Sequence, residues 1–120
     1  LDPVRDLAYV TDTARGFLAA AEARESAVGD VYNLGTGEAV SIGDLAETIF
    51  DLLGGGYEIV TDPERVRPGK SEVMALISNN AKAREALGWQ PRTSLRQGLR
   101  RVIDWIQANP HHFRPEEYTR

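Results

Sequence analysis

The chain contains no cysteine, which excludes disulfide scaffolds and thiolate metal sites. A reducing compartment is allowed, and the cytoplasm is the expected location. Histidine is scarce: His111 and His112 stand together near the end. Adjacent side chains diverge on a strand and around a helix, so a shared metal is not expected. No apolar run approaches the roughly 20 residues that cross a bilayer, and the opening Leu1-Asp2-Pro3-Val4-Arg5-Asp6 is nothing like a signal peptide. No membrane partner is therefore expected. Positive charge is also in deficit, with 14 Lys+Arg against 18 Asp+Glu and a formal charge of -4. That balance argues against a nucleic-acid partner held by a broad basic field, and any anion site must be local.

What is present is 120 residues, one domain or part of one. A free-standing domain of that size would bury roughly two thirds of the surface its unfolded chain exposes. The chain opens on leucine, which fits an excised piece as well as a processed protein.

Apolar periodicity predicts an α/β order. Leu7 to Val10 reads as a strand stopping at Thr11-Asp12, either of which could cap a helix whose buried face is Ala14, Phe17, Leu18 and Ala21. Val31 to Leu34 reads as a second strand, apolar enough to be covered on both faces, ending in Gly35-Thr36-Gly37. Ser41 with Asp44 approximates a capping box before a helix carrying Leu45, Ile49, Leu52 and Leu53, stopped at Gly54. Tyr57 to Val60 is a weak third strand, and Val73 to Ile77 fits either a strand or a helical turn. Asn79-Asn80 opens a short helix closed by Gly88, and Ser94 with Gln97 opens a last amphipathic helix that Pro110 ends. Residues 111–120 read as a surface tail.

Three features invite chemistry. Gly35-Thr36-Gly37 lies between a strand and a helix, the setting of a dinucleotide fingerprint, but Val40 stands where the third small residue belongs, so the loop reads as a turn. Arg92, Arg96, Arg100 and Arg101 form a stripe with Asp104 at helical pairing distance from the last two, which reads as a solvated face. Arg65 and Arg67 differ, because they fall in the irregular stretch Arg65-Val66-Arg67-Pro68-Gly69-Lys70-Ser71-Glu72-Val73, and binding residues concentrate in loops. Together with Arg5 they suggest an anionic ligand, since the guanidinium fork suits a phosphate and stays charged.

The ordered blocks Arg5-Asp6-Leu7-Ala8-Tyr9-Val10-Thr11-Asp12, Val31-Tyr32-Asn33-Leu34-Gly35-Thr36-Gly37, Arg67-Pro68 with Ser71-Glu72-Val73, Lys82-Ala83, and Leu87-Gly88-Trp89-Gln90-Pro91 resemble something specific. The chain is similar to the C-terminal substrate-binding portion of an extended short-chain dehydrogenase/reductase, of the NAD-dependent nucleotide-sugar epimerase and 4,6-dehydratase kind. Arg-Pro followed by Ser-Glu-Val leans toward the dehydratases. The resemblance implies a nucleotide-sugar-binding portion over residues 1–110, with a strand-helix-strand contribution to a Rossmann-type sheet. It also implies a missing N-terminal Rossmann domain as partner, and a homo-oligomer.

By that resemblance Arg5 and Arg67 grip the diphosphate of a nucleotide-diphosphate sugar, and Glu72 holds the ribose hydroxyls. A diphosphate takes charge-assisted forks and a diol takes a carboxylate acceptor. Leu7 departs from the pattern, standing where many relatives carry an aromatic residue. The Tyr-x-x-x-Lys pair of such enzymes is absent here: Tyr9, Tyr32, Tyr57 and Tyr118 have no lysine four residues on. The resemblance therefore implies that NAD or NADP serves the full-length enzyme and that this piece alone binds none and is inactive. In that enzyme the sugar is oxidised at C4, then either dehydrated across C5 and C6 with hydride return at C6, or re-reduced from the opposite face. The competing expectation is a free-standing, non-catalytic nucleotide-binding or interaction module.

Overall fold

In the computed structural model of the chain, residues 1–60 and 73–113 are described. The elements are β1 (Val4–Arg5), α1 (Val10–Ala21), β2 (Val40–Ser41), α2 (Ile42–Leu52), β3 (Ala75–Leu76), α3 (Ala81–Leu87) and α4 (Leu95–Ala108), with short 3-10 turns at Glu25–Ala27 and Pro110–His112. The expected α/β class is observed, as a small mixed sheet with helices. β1 lies in the middle, antiparallel to β2 with Arg5 opposite Val40, and parallel to β3 with Arg5 opposite Leu76.

The helix signals in the sequence are realised where they are local. The Ser41 hydroxyl accepts from the Asp44 amide at 2.9 Å and starts α2. Ser94 and Gln97 form a reciprocal capping box at the start of α4. Gly88 ends α3 at φ +64°, a left-handed position that a side chain would strain. Helix α2 packs on α4 and α1 on α3, and Leu52 of α2, Ile103 of α4, Ala83 of α3 and the following Trp89 are buried.

The strands lie elsewhere than expected. The first is Val4–Arg5, not Leu7 to Val10, and α1 already begins at Val10 after an extended Tyr9 with no side-chain cap. Val31 to Leu34 and Tyr57 to Val60 form no ladder among the described residues, and the open choice at Val73 to Ile77 resolves as the strand Ala75–Leu76. Two-residue strands are too short to show an alternation, and their pairing is made between segments distant in the chain.

The expected buried face of α1 is likewise reversed. Phe17 is 70% exposed and Leu18 62%, whereas Asp12 and Gly16 are the buried residues of this helix. Gly16 decides the contact: a Cβ there would lie 2.4 Å from a methyl of Leu34, so the helix approaches its neighbour along the side that lacks side-chain bulk. Val10, Val28 and Val31 are also exposed.

Candidate functional site

Arg5 sits on the central strand, with backbone bonded on both sides of it. Val4 N donates to Met74 O at 2.8 Å and Asp6 N to Leu76 O at 3.1 Å. The Arg5 guanidinium then turns back along the sheet and donates from one nitrogen to the carbonyls of Val4 and Val73, each at 2.8 Å. Val73 is the residue after Glu72 in the sequence. Arg67 and Glu72, the other two expected ligand residues, lie outside the described residues, as do Arg65 and Lys70.

Beside Arg5 an open cleft of about 670 Å³ runs between β1, β3, α1 and the segment 32–35, with Asp6, Tyr32, Asn33, Phe17 and Ser78 among its walls. Asp6 is bonded to several donors. Its carboxylate accepts from the Thr36 amide at 2.7 Å, the Thr36 hydroxyl at 2.5 Å, the Gly37 amide at 2.9 Å and the Ser78 amide at 3.1 Å. Partial burial pushes its pKa up, but these bonds outweigh burial and hold the carboxyl below the usual range. From the other side the Asn80 amide group donates to the carbonyls of Gly35 at 2.7 Å and Thr36 at 3.2 Å. Gly35 has no room for a side chain, since a Cβ would stand 2.3 Å from Ser78 Cβ and 2.5 Å from the Asp6 carboxylate.

The amides of Thr36 and Gly37 are thus bonded to an anion that belongs to the chain. A dinucleotide phosphate would have to displace Asp6, so the glycine loop does not fit NAD.

A second carboxylate is more deeply enclosed. Asp12 has no solvent exposure, accepts from the Thr93 amide at 3.0 Å and pairs with Arg15. Its own carbonyl accepts from the indole nitrogen of Trp89 at 2.8 Å. Burial pushes its pKa up, and the bonds from Thr93 and Arg92 with the Arg15 charge bring it below the usual value. Asp12 reads from sequence as a cap; the structure turns it inward to fasten α1 to the approach to α4.

The arginines of α4 are exposed, as the solvated-face reading expects, but among the described residues their partners are not Asp104. Arg96 pairs with Asp51 at 2.6 Å, Arg100 donates to the Leu52 carbonyl at the end of α2 at 2.7 Å, and Arg101 covers the Tyr9 ring at 5.4 Å. They tie α4 to its neighbours, and Asp104 pairs with none of them among the described residues. His112 stacks on Trp105, and among the described residues no group of three or more His, Cys, Asp or Glu side chains could hold a metal ion. Nor is any helix among them long and apolar enough to cross a membrane.

Sequence reasoning singled out Arg5, gave Asp12 and Asn80 only capping roles, and passed over Asp6 and Ser78 as site residues. Asp6 carried no local signal, because the strand it follows, Val4–Arg5, exists only through pairing with distant segments.

Comparison with known proteins adds three kinds of likeness. The sequence model of the GDP-mannose 4,6 dehydratase family matches residues 1–102. A putative UDP-glucose 4-epimerase of Methanocaldococcus jannaschii is 32% identical over 105 residues, 88% of this chain and 32% of that protein. A dTDP-glucose 4,6-dehydratase of Streptomyces antibioticus is 36% identical over 87 residues, 72% of this chain and 25% of that protein. Among solved structures, the UDP-glucose 4-epimerase of Bifidobacterium longum in complex with NAD+ and UDP superposes with a TM-score of 0.77 at 28% identity, covering 92% of this chain and 32% of that one. The chain spans about a third of the length of the M. jannaschii and B. longum relatives.

Proposed function

The chain belongs to the GDP-mannose 4,6 dehydratase family, and from that membership we propose that it is the substrate-holding part of a longer NAD-dependent nucleotide-sugar 4,6-dehydratase or 4-epimerase. Its relatives are nucleotide-sugar dehydratases and epimerases of the extended short-chain dehydrogenase/reductase kind. In this reading Arg5 and Arg67 grip the diphosphate, and Glu72 accepts from the ribose hydroxyls.

The observation that carries the reading is the Arg5 guanidinium on the Val73 carbonyl. An arginine 68 positions upstream reaches the point where the segment bearing Arg67 and Glu72 joins β3. Glu72 is covalently next to Val73, so this bond supports the reading that Arg5 and Glu72 serve one ligand although they are far apart in sequence. A guanidinium held by backbone carbonyls is oriented before a ligand arrives, which lowers the ordering cost of binding.

NAD or NADP, bound by the remainder of the protein, supplies the oxidation at C4 and the returning hydride. The residues of this chain bind and orient; they hold neither the cofactor nor the tyrosine-lysine pair, and the piece alone is inactive. The exposed Val10, Phe17, Leu18, Val28 and Val31 are the surface on which the Rossmann domain of the longer protein packs, with Val31 to Leu34 joining its sheet. Residues 1–110 form this portion and 111–120 its tail, in a cytoplasmic homo-oligomer.

The test is binding of UDP, GDP and dTDP to the intact protein by calorimetry. Arg5→Ala and Arg67→Ala should each weaken the preferred diphosphate about thirtyfold, or ~2 kcal/mol, for a desolvated charge-assisted fork. Unchanged affinity in both variants would remove the assignment and favour a module with another partner.

A further inference from the structure

We propose that Asp6 is the positioning residue for Arg5, fixing the end of β1 so that the guanidinium is presented correctly to a diphosphate; this rests on the function proposed above. Arg5 lies between two points of attachment. On its N-terminal side β1 is held by the Ile42 amide donating to Pro3 O at 3.0 Å and by Val4 N on Met74 O. On its C-terminal side the next residue is Asp6, and the ladder to β3 ends with Asp6 N on Leu76 O. Beyond that bond the strand is held by the Asp6 carboxylate, which gathers Thr36, Gly37 and Ser78.

These donors come from two segments that share no strand ladder among the described residues and are otherwise tied by the Asn80 side chain on the Gly35 and Thr36 carbonyls, and at Gly35 an added side chain would meet Ser78 and the Asp6 carboxylate. A β1 of only two residues has little ladder of its own to define its pitch. The carboxylate supplies what a longer strand would have supplied.

Asp6 and Arg5 wall the same cleft, so two physical effects of Asp6 on a bound anion have opposite signs. A bare negative charge beside the site repels phosphate, and neutralising it would tighten binding. A charge already consumed by four hydrogen bonds acts mainly through the geometry it imposes, and neutralising it loosens the neighbouring guanidinium. The assignment of Asp6 as a positioning residue commits to the second sign.

The experiment measures, in the intact protein, the Kd of whichever of UDP, GDP and dTDP binds best, divided by the Kd of its own nucleoside from competition. Asp6→Asn should worsen this ratio on the order of tenfold, as small misplacements of a positioned group do. In an Arg5→Ala background Asp6→Asn should leave the ratio where Arg5→Ala alone puts it, because the two act through one contact. Thr36→Val, which removes only a hydroxyl from the cluster, should act in the same direction by about threefold and decides the matter if Asp6→Asn does not fold.

A ratio that tightens assigns Asp6 to charge repulsion and overturns the proposal. A ratio that does not move, or effects that add fully in the Arg5→Ala background, makes Asp6 structural only and also overturns it. If Arg5→Ala itself leaves the ratio unchanged, the diphosphate reading falls and this inference falls with it. If Arg5→Ala acts and Asp6→Asn does not, the inference falls alone.

Discussion

Two aspartates six residues apart use one chemical device in two settings. Asp12 accepts from the Thr93 amide and Arg15 with no solvent exposure, while Asp6 accepts from Thr36, Gly37 and Ser78 at the wall of an open cleft. Each draws separate chain segments together through backbone donors, which a carboxylate binds more strongly than a neutral acceptor does. Asp12 has packed chain on every side and can act only on the fold. Asp6 has an arginine as its neighbour and unfilled space before it, so the same bonds can shape a ligand site. Surroundings, not residue type, separate a structural carboxylate from a functional one.

The comparison breaks most severely if Trp89 is removed, since its indole bonds the Asp12 carbonyl and it is only 4% exposed. Trp89→Ala should cost about 4 kcal/mol of unfolding free energy by urea titration, the cost of a cavity plus a lost bond. Asp12→Ala should follow at about 3 kcal/mol, because it strands the Thr93 amide and the Arg15 charge. The ratio of nucleotide to nucleoside affinity should remain as in the parent. A large change in that ratio would erase the distinction between the two aspartates.

Gly35→Ala strikes the other region, where a Cβ meets Ser78 and the Asp6 carboxylate. It should cost about 2 kcal/mol through overpacking and, unlike Asp12→Ala, should also weaken the diphosphate. Both aspartates have a folded pKa below the unfolded value of about 3.9. Their contribution to stability is therefore fully present above that value and is lost as pH falls toward the folded pKa. Urea titrations at pH 7, 5, 4 and 3 should be level down to about 5 and then decline, less steeply in Asp12→Asn than in the parent.

The smallest effect is expected at Gly98, whose added Cβ would lie 3.1 Å from the Tyr9 ring. Gly98→Ala should change stability by less than about 1 kcal/mol, because a slight shift of the ring relieves the contact while alanine favours the helix.

Legibility followed the range of the interaction. The starts of α2 and α4 and the end of α3 were readable at Ser41, Ser94 and Gly88, because each is settled by partners within a few residues. The strands were not, because Val4 and Arg5 become a strand only by meeting Val40, Ser41, Ala75 and Leu76. The α1 stripe misled for a related reason: Phe17 and Leu18 fall at helical spacing, but periodicity does not say which face of the helix the rest of the chain covers.

By itself the sequence determined the starts of α2 and α4, the end of α3, the α/β class and, through its ordered blocks, the family. It also placed Arg5 among the candidate ligand residues, because an arginine in the Arg5-Asp6 block is a local fact. Only the tertiary structure decided that the glycine loop is filled by Asp6, that Asp12 is a buried tie rather than a cap, and that Arg5 meets Val73. Those are contacts between segments 30 to 81 positions apart. No local pattern encodes them, since such a pair forms only when the rest of the chain has already offset the entropy of closing the loop between its ends.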